Sequence, residues 1–333
     1  MRFVIFGAGA IGGVVGANLH ESGQDVALIA RGAHYEAIRT KGLTLETPRR
    51  TTVLEIPVAE SPDALRWTGD DVVMVATKSQ DTAGALEALR AAAPASTPVL
   101  CLQNAVENER VALRLFANVY GAVVMSPTAH LEPGIVQAYG TKGTGVIDVG
   151  RYPEGLDALC EEVAQALSES DFSSVARPDI MRFKYAKLLS NLGNAVDAIC
   201  EPGPDAAEVL ELAQEEGRAT LKAADIDFVA EEVNDVQARW EQLDLQPIAG
   251  RARAGSSTRQ SIARGAPSVE TDYLNGEVAL LGRLHRVATP VNDALCEFSA
   301  RHVRERRAPQ TLPAGEVLAF ARSGQYAHGP VRR

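Results

Sequence analysis

The chain has few cysteines, few aromatic residues and no excess of basic residues. Aromatic side chains make up 5% of its 333 residues, and the formal net charge is −10. An acidic chain lacks the basic surface that a phosphate backbone requires, so nucleic-acid binding is disfavoured. The cysteines stand apart, without a CxxC pair. We expect them to be buried free thiols, with no disulfide and no metal site. They are Cys101, Cys160, Cys200 and Cys296.

Long hydrophobic stretches are missing as well. The apolar share of 46% is ordinary for a globular protein, yet no apolar run reaches the roughly 20 residues of a membrane-spanning helix. Met1 leads directly into a strand-like segment, so no signal peptide is expected. We therefore expect a cytoplasmic protein without a membrane partner, long enough to form two domains.

The beginning of the chain carries a glycine-rich turn. The apolar run Phe3–Phe6 is typical of a buried parallel strand, and it leads through Gly7-x-Gly9-x-x-Gly12 into a helical stretch of small residues. In this setting Gly7 permits the tight turn, Gly9 lets the backbone approach a pyrophosphate, and Gly12 lets the helix pack on the strand. The helix then points its free N–H groups at the phosphates. The turn predicts a dinucleotide site made by Gly7, Ala8, Gly9, Ala10, Ile11 and Gly12.

The end of the next predicted strand, 25–30, indicates which dinucleotide binds. An NAD site usually has Asp or Glu about 20 residues past the glycines, whereas this chain has Arg31 followed by Gly32. A guanidinium can pair bidentately with a 2′-phosphate, which a carboxylate would repel. We predict NADP(H) rather than NAD(H) or FAD. The alternative is a solvated arginine at a strand end.

Two further predicted strands end in polar residues. Lys78 follows the buried strand 70–77, and Gln103-Asn104 ends the strand 98–104. Because functional groups of a doubly wound sheet collect at the carboxyl ends of its strands, Lys78 and Asn104 are predicted to face the same crevice as the glycine turn. The alternatives are an exposed lysine and a turn or helix cap.

The remaining patterns divide the chain into two domains. Strands are predicted at 123–127, 135–139 and 145–150, the last two as a hairpin across Gly140–Gly145. Strand patterns stop near 176, and helical periodicity follows from 178 to 307. We therefore predict an α/β protein, with a Rossmann-type doubly wound NADP-binding domain over 1–176 and an all-helical substrate domain over 177–333. The basic tail, with Gly324 and Pro330, is expected to be mobile near its end.

Two segments of the helical half have the composition of a reaction site. Lys187, Asn191 and Asn194 are spaced i, i+4 and i+7, so a helix would place them on one stripe. A solvated polar face is the alternative, but asparagine is a poor helix former and needs another reason to be there. The second segment contains Ser257 and Glu270. From the residues alone it could equally be a loop with helix-capping side chains.

Together these residues resemble the ketopantoate reductase family (2-dehydropantoate 2-reductases), and the resemblance runs nearly end to end. It rests on GAGAIGG at 7–13, Arg31-Gly32, Lys78, Gln103-Asn104, Lys187-Leu-Leu-Ser-Asn191, and the segment from Ser257 through Glu270-Thr-Asp272 to Gly276. Family enzymes reduce a 2-oxo acid with NADPH, in a cleft between a Rossmann domain and a helical domain. The resemblance implies reduction of 2-dehydropantoate to pantoate, for pantothenate synthesis. An apolar helical face exposed on the second domain would allow a homodimer.

The resemblance also implies roles for individual residues. Lys187 is expected to be the general acid, and Glu270 is expected to be the second catalytic residue. Substrate binding is implied for Asn104, Asn191, Asn194 and Ser257. Cofactor binding is implied for Arg31, Lys78, Asn104 and Glu270, besides the glycine turn. No metal is implied.

The chain departs from the family pattern around the substrate residues. Ala105 stands where the family usually has glycine, Asp197–Gly203 replaces a stretch with proline and threonine, and Gly265–Val269 lengthens the loop before Glu270. Two other functions therefore stay open. One is a related reductase or dehydrogenase of another 2-oxo acid or an imine (opine-type), and the other is an NADP(H) sensor without turnover. The retained Lys187 and Glu270 argue against a sensor, which needs no proton donor.

Overall fold

The structure, a computed structural model, describes residues 1–253 and 255–323. The chain divides into two compact units. The first contains Met1–Lys184 and Val229–Arg253, and the second contains Tyr185–Phe228 and Ala254–Arg333. Gly324 and Pro330 of the predicted mobile tail lie outside the described residues.

Strands and helices alternate over the first half of the chain. In order they are β1 (Arg2–Phe6), α1 (Ala10–Glu21), β2 (Asp25–Ile29), α2 (Gly32–Lys41), β3 (Leu43–Glu46), β4 (Thr51–Leu54), β5 (Val58–Ala59), β6 (Asp71–Val75), α3 (Thr82–Ala92), β7 (Val99–Cys101), α4 (Asn108–Leu113), β8 (Val119–Met125), β9 (Thr128–Glu132), β10 (Ile135–Ala138), β11 (Gly145–Arg151), α5 (Ala158–Glu169) and β12 (Phe172–Ser173).

Helices make up the regular structure of the described residues that follow. They are α6 (Ile180–Asn191), α7 (Gly193–Ile199), α8 (Pro204–Ala223), α9 (Asp235–Glu241), α10 (Ser257–Ala263), α11 (Asn275–His285), α12 (Pro290–Arg304) and α13 (Ala314–Arg322), with 3₁₀ turns at Glu231–Val233 and Glu270–Tyr273. The predicted class, a doubly wound α/β sheet followed by a helical region, is confirmed.

Among the described residues the main sheet has eight strands, and β1 is one of its interior strands. Its strand order is β12-β11-β8-β7-β6-β1-β2-β5. β1 pairs in parallel with β2 on one side and β6 on the other, so that Phe3 lies opposite Val26 and Val72. Phe3 and Ile5 are fully buried, and so are Val4 and Val73. The continuous apolar run of β1 thus reflects a strand that is covered on both faces.

The predicted hairpin across Gly140–Gly145 is wrong. β10 pairs antiparallel with β9 and parallel with β3 in a second sheet of order β4-β3-β10-β9, while β11 pairs antiparallel with β8 in the main sheet. The glycines do form a tight turn, since Gly143 has φ +109° and a Cβ on Gly140 would lie 2.1 Å from the Gly143 carbonyl oxygen. This turn carries the chain from one sheet to the other, so its two strands never become neighbours.

The segment Val229–Arg253 belongs to the first unit, where its Arg239 binds a buried carboxylate. Asp148 of β11 is fully buried and accepts hydrogen bonds from Arg177 Nε at 2.5 Å and from Arg239 of α9 at 3.0 Å. A buried carboxylate requires such partners. The division of the chain therefore differs from the single boundary before 177 that the sequence predicts, since helical periodicity in α9 does not reveal which unit it packs on.

The second unit has its own apolar core. Its buried side chains come from every helix that crosses it, among them Leu192, Val209, Val278, Phe298 and Val317. The cysteines are free thiols, with Cys101, Cys160 and Cys200 buried and Cys296 partly buried. Among the described helices, none combines the length and the apolar composition that crossing a membrane would require.

Candidate active site

The turn after β1 has the geometry that its glycines predict. Gly7 has φ +105°, and a Cβ there would lie 2.8 Å from the backbone nitrogen of Thr77. A Cβ on Gly12 would lie 2.2 Å from the Gly7 carbonyl oxygen and 2.9 Å from Cγ2 of Ile5. Neither position tolerates a side chain. The first turn of α1 therefore packs directly against β1 and the loop after β6.

Gly9 differs from the other two glycines because it faces open space. The nearest heavy atom to a Cβ built on Gly9 is Nδ1 of His130, 4.0 Å away. Ala10 and Ile11, in the first turn of α1, are half-buried, and this turn contains no acidic residue. A helix N-terminus behind an unobstructed glycine fits the phosphates of a dinucleotide, because its amides are free to donate and no carboxylate of its first turn repels them.

Arg31 lies beside this turn. It follows β2, the neighbour of β1, and is the residue that immediately precedes α2. Its side chain is exposed, and in residues 1–253 and 255–323 no carboxylate pairs with its guanidinium. A cation without an internal partner at this strand end is available to an anionic ligand.

Lys78 and Asn104 follow the next two strands along the sheet. Lys78 comes after β6 and immediately precedes the 3₁₀ turn Ser79–Asp81, and Asn104 comes shortly after β7. Both side chains are half-buried. Because β2, β1, β6 and β7 are parallel neighbours, the residues at their carboxyl ends share one edge of the sheet. The structure thus places the cofactor-binding residues predicted in this unit at one edge of the sheet. Glu270, which is also predicted to bind the cofactor, belongs to the second unit.

A buried lysine that is not among the predicted site residues holds the loop at Asn104. Lys184 Nζ donates to the carbonyl oxygens of Gln103 at 3.0 Å and Ala122 at 3.1 Å, and it lies 2.6 Å from a carboxylate oxygen of Glu109. Burial raises the pKa of Glu109, and the Lys184 charge opposes that rise. Asn108 adds a hydrogen bond from Nδ2 to the Asn104 carbonyl at 2.9 Å. The sequence gives one sign of this lysine's role: Lys184 stands inside an apolar helical stretch, one turn before Lys187.

Ala105 has a strained backbone. Its φ is +69°, in the left-handed region that costs a residue with a Cβ about 1–2 kcal/mol. This conformation explains why glycine suits the position, as the family pattern suggests.

We expect Ala105→Gly to raise the free energy of unfolding by about 1 kcal/mol, because glycine adopts this φ without steric cost. Urea unfolding measures this change in the free energy of unfolding. The control is Ala88→Gly, at an exposed position inside α3, which should lose about 1 kcal/mol through helix propensity. Destabilisation by both substitutions would show that Ala105 is not strained.

The predicted stripe of Lys187, Asn191 and Asn194 is divided between two helices. α6 ends at Asn191 and α7 begins at Gly193. At the break, the carbonyl of Leu192 accepts a hydrogen bond from Nδ2 of Asn275 at 3.3 Å, and a side chain bonded to the helical ladder is a known cause of such a break.

Within α6, Lys187 is half-buried. Asn191, one turn later, is 5% exposed, and its Nδ2 has no hydrogen-bond partner among the described residues. A buried amide donor without an acceptor is costly, so a hydrogen-bond acceptor placed at this atom would be stabilising.

Asn194 and the serine pair are brought together at α10. Ser256 Oγ donates to the Asn194 carbonyl at 3.2 Å and caps α10 by accepting from the Arg259 N–H. Asp197, one of the departures from the family pattern, accepts the Ser256 N–H at 2.7 Å. Ser257 is the first residue of α10 and is half-buried. The altered residue Asp197 therefore fixes the backbone that presents Ser257.

Glu270 opens the 3₁₀ turn Glu270–Tyr273 and is 5% exposed. The turn leads into α11, whose Asn275 reaches the break between α6 and α7 and also donates to Asn292 Oδ1 at 3.0 Å. The Glu270 segment is thus anchored in the second unit beside the end of the helix that carries Lys187 and Asn191.

Known proteins resemble most of the chain. The family model for Ketopantoate reductase PanE/ApbA matches residues 3–154, and the model for its C terminal part matches residues 179–302. A 2-dehydropantoate 2-reductase of Pyrococcus horikoshii is 29% identical over 297 residues, which cover 88% of this chain and 94% of that protein.

Solved structures share the fold. A PanE/ApbA family ketopantoate reductase from Ralstonia eutropha JMP134 has a TM-score of 0.78 at 28% identity, covering 92% of this chain and 100% of that one. The ternary structure of D-mandelate dehydrogenase with NADH and anilino(oxo)acetate has a TM-score of 0.78 at 24% identity over the same shares. The latter likeness concerns the fold alone. Since the two family models together match most of the chain and reach into both units, the chain belongs to the ketopantoate reductase family.

Proposed function

We propose that the protein is an NADPH-dependent oxidoreductase that reduces a 2-oxo acid, with 2-dehydropantoate as substrate and pantoate as product. The observation that carries this proposal is the buried Asn191, whose Nδ2 has no partner among the described residues, one turn after Lys187. A carbonyl or carboxylate oxygen of a small acid would satisfy it, and family membership supplies the class of acid. The names of the relatives, such as the Pyrococcus enzyme, support the same substrate.

The cofactor is assigned to the edge of the sheet in the first unit. The amides of Gly7–Gly12 would hold the pyrophosphate, and Arg31 the 2′-phosphate that distinguishes NADPH from NADH. Lys78 would bind at the adenosine phosphate end, and Asn104 and Glu270 at the nicotinamide ribose. The bound cofactor supplies the hydride.

Lys187 is assigned the proton transfer. Reduction at a carbonyl carbon leaves negative charge on the oxygen, and an ammonium within hydrogen-bond reach neutralises that charge and donates its proton. Desolvation lowers the pKa of a lysine, whereas a carboxylate nearby favours its charged form. We assign Glu270 to this second task.

We assign binding of the rest of the substrate to three side chains of the second unit. Asn191 and Asn194 would hold the polar groups of the acid, and Ser257 its carboxylate. Ala105, Asp197–Gly203 and Gly265–Val269 depart from the family pattern, so reduction of another 2-oxo acid or an imine is the second candidate function. An NADP(H) sensor is the third.

A homodimer through the helical unit is part of the proposal. Leu280 and Leu284 lie one turn apart on α11 and are 44% and 65% exposed, which would suit burial against a second copy. The mass of the protein in solution, by light scattering, tests this point.

The experiment for the function follows the loss of NADPH absorbance with 2-dehydropantoate, with NADH and a panel of other 2-oxo acids in parallel. We expect 2-dehydropantoate to be reduced fastest and NADPH to be preferred. Turnover with a different acid alone would favour the second candidate. Tight NADPH binding without turnover of any acid would favour the sensor and contradict the assignment of Lys187.

A further inference from the structure

His34 connects three segments around the phosphate turn. Its Nδ1 accepts the Gly134 N–H at 2.8 Å, and its Nε2 lies 2.6 Å from the Ala8 carbonyl oxygen. Since Nδ1 must offer its lone pair to an N–H, the proton resides on Nε2, which donates to Ala8. The ring of His130 packs against His34, with ring centroids 4.2 Å apart. Both ring nitrogens of His34 are therefore used, in one tautomer.

The bond to Ala8 fixes the direction of the Gly9 amide. In a trans peptide, the carbonyl of one residue and the N–H of the next point in opposite directions. The Ala8 N–H is also held, by the Ile29 carbonyl at 3.2 Å. With Ala8 bound at both ends, the Gly9 N–H points away from His34. No backbone carbonyl of the described residues accepts that N–H, so it is available to a phosphate.

The same histidine anchors the helix that begins beside Arg31. α2 has a single buried residue, Ile38, and Tyr35 of its first turn packs against the core while only partly buried. His34 lies in that turn, one helical turn from Arg31. The Gly134 backbone approaches α2 so closely that a Cβ there would lie 2.9 Å from Cβ of Ala37. This close approach brings the Gly134 N–H to the histidine.

We propose that His34 is a positioning residue for the cofactor: it orients the Gly9 amide and holds Arg31 at a fixed place beside the phosphate turn, and so contributes to the preference for NADPH over NADH. The proposal rests on the proposed function. Burial lowers the pKa of His34, which keeps the ring neutral, as its two hydrogen bonds require. The residue needs no contact with the cofactor.

The test compares His34→Phe, which keeps a ring against His130 but loses both hydrogen bonds, with His34→Gln, which retains one donor and one acceptor. Dissociation constants for NADPH and NADH are measured by fluorescence titration, together with kcat and the KM of the 2-oxo acid. We expect His34→Phe to weaken NADPH binding about tenfold, which corresponds to the loss of roughly one well-placed hydrogen bond. NADH binding should weaken less. Both kcat at saturating NADPH and the KM of the acid should stay within about twofold, and His34→Gln should restore NADPH binding.

The matched control is His20→Ala, in the last turn of α1. It should change neither the dissociation constants of the two nucleotides nor kcat and the KM of the acid. Unchanged NADPH binding in His34→Phe, or equal losses in the Phe and Gln variants, would overturn the proposal. If His34→Phe does not fold, ¹⁵N NMR of the histidines in the unmodified protein decides: a neutral Nε2–H tautomer of His34 is expected with and without NADP⁺, and an Nδ1–H tautomer would overturn it. Failure of the unmodified protein to bind either nucleotide contradicts the proposed function, and the tautomer still tests the contacts of His34.

Discussion

Lys187→Ala is expected to lower kcat by about 10²-fold or more, the usual contribution of a positioned general acid, while the dissociation constant of NADPH stays nearly unchanged. Lys187 lies on α6 in the second unit, whereas the phosphate turn and Arg31 belong to the first. A loss confined to kcat would therefore separate proton donation from cofactor binding. Steady-state kinetics and a fluorescence titration on the same preparations measure the two quantities.

The variant Lys187→Arg divides the role of this side chain further. A guanidinium keeps the positive charge but does not release its proton near neutral pH. We expect Lys187→Arg to remain far below the unmodified enzyme if proton transfer matters, and close to it if charge alone suffices. Lys222→Ala, at an exposed position near the end of α8, is the control. An undiminished kcat in Lys187→Ala would remove this residue from the mechanism.

Local patterns made much of the first unit predictable. A short buried strand precedes each predicted cofactor residue of this unit, namely the glycine turn, Arg31, Lys78 and Asn104. Parallel strands place their carboxyl ends together at one edge of the sheet. The position of Arg31 beside the Gly7–Gly12 turn could thus be inferred without knowing any contact. The pairing partner of β11 could not, because a turn of Gly140–Gly145 is equally compatible with a hairpin and with a crossing between two sheets.

Residues that act through long-range contacts could not be predicted from the sequence. His34 binds the backbone of Gly134, and Lys184 pairs with Glu109, in each case with a partner from a distant part of the chain. Lysine in an amphipathic helix is usually exposed, so burial of Lys184 leaves only a weak trace in the sequence. The break between α6 and α7 has the same origin, since Asn275 supplies the hydrogen bond at Leu192.

Arg31→Ala is expected to weaken NADPH binding by about 10- to 100-fold, since a charge-assisted hydrogen bond contributes about 1.5–3 kcal/mol and 1.4 kcal/mol is a factor of ten. NADH, which lacks the 2′-phosphate, should lose far less. The guanidinium is exposed and no described carboxylate pairs with it, so its removal leaves no buried charge behind and the fold should be unaffected.

The control for Arg31 is Arg39→Ala on α2, the helix that Arg31 immediately precedes. The Arg39 guanidinium is exposed and pairs with Glu36 at 2.8 Å, so this variant should alter the binding of neither nucleotide. Raising the salt concentration should reduce the NADPH preference of the unmodified enzyme and leave that of Arg31→Ala unchanged, because screening acts on an exposed ion pair. Equal losses for NADPH and NADH in Arg31→Ala would contradict the 2′-phosphate assignment. Arg31 would then be a general attractor of anionic cofactors in an acidic protein, and the preference between the two nucleotides would have to come from another residue.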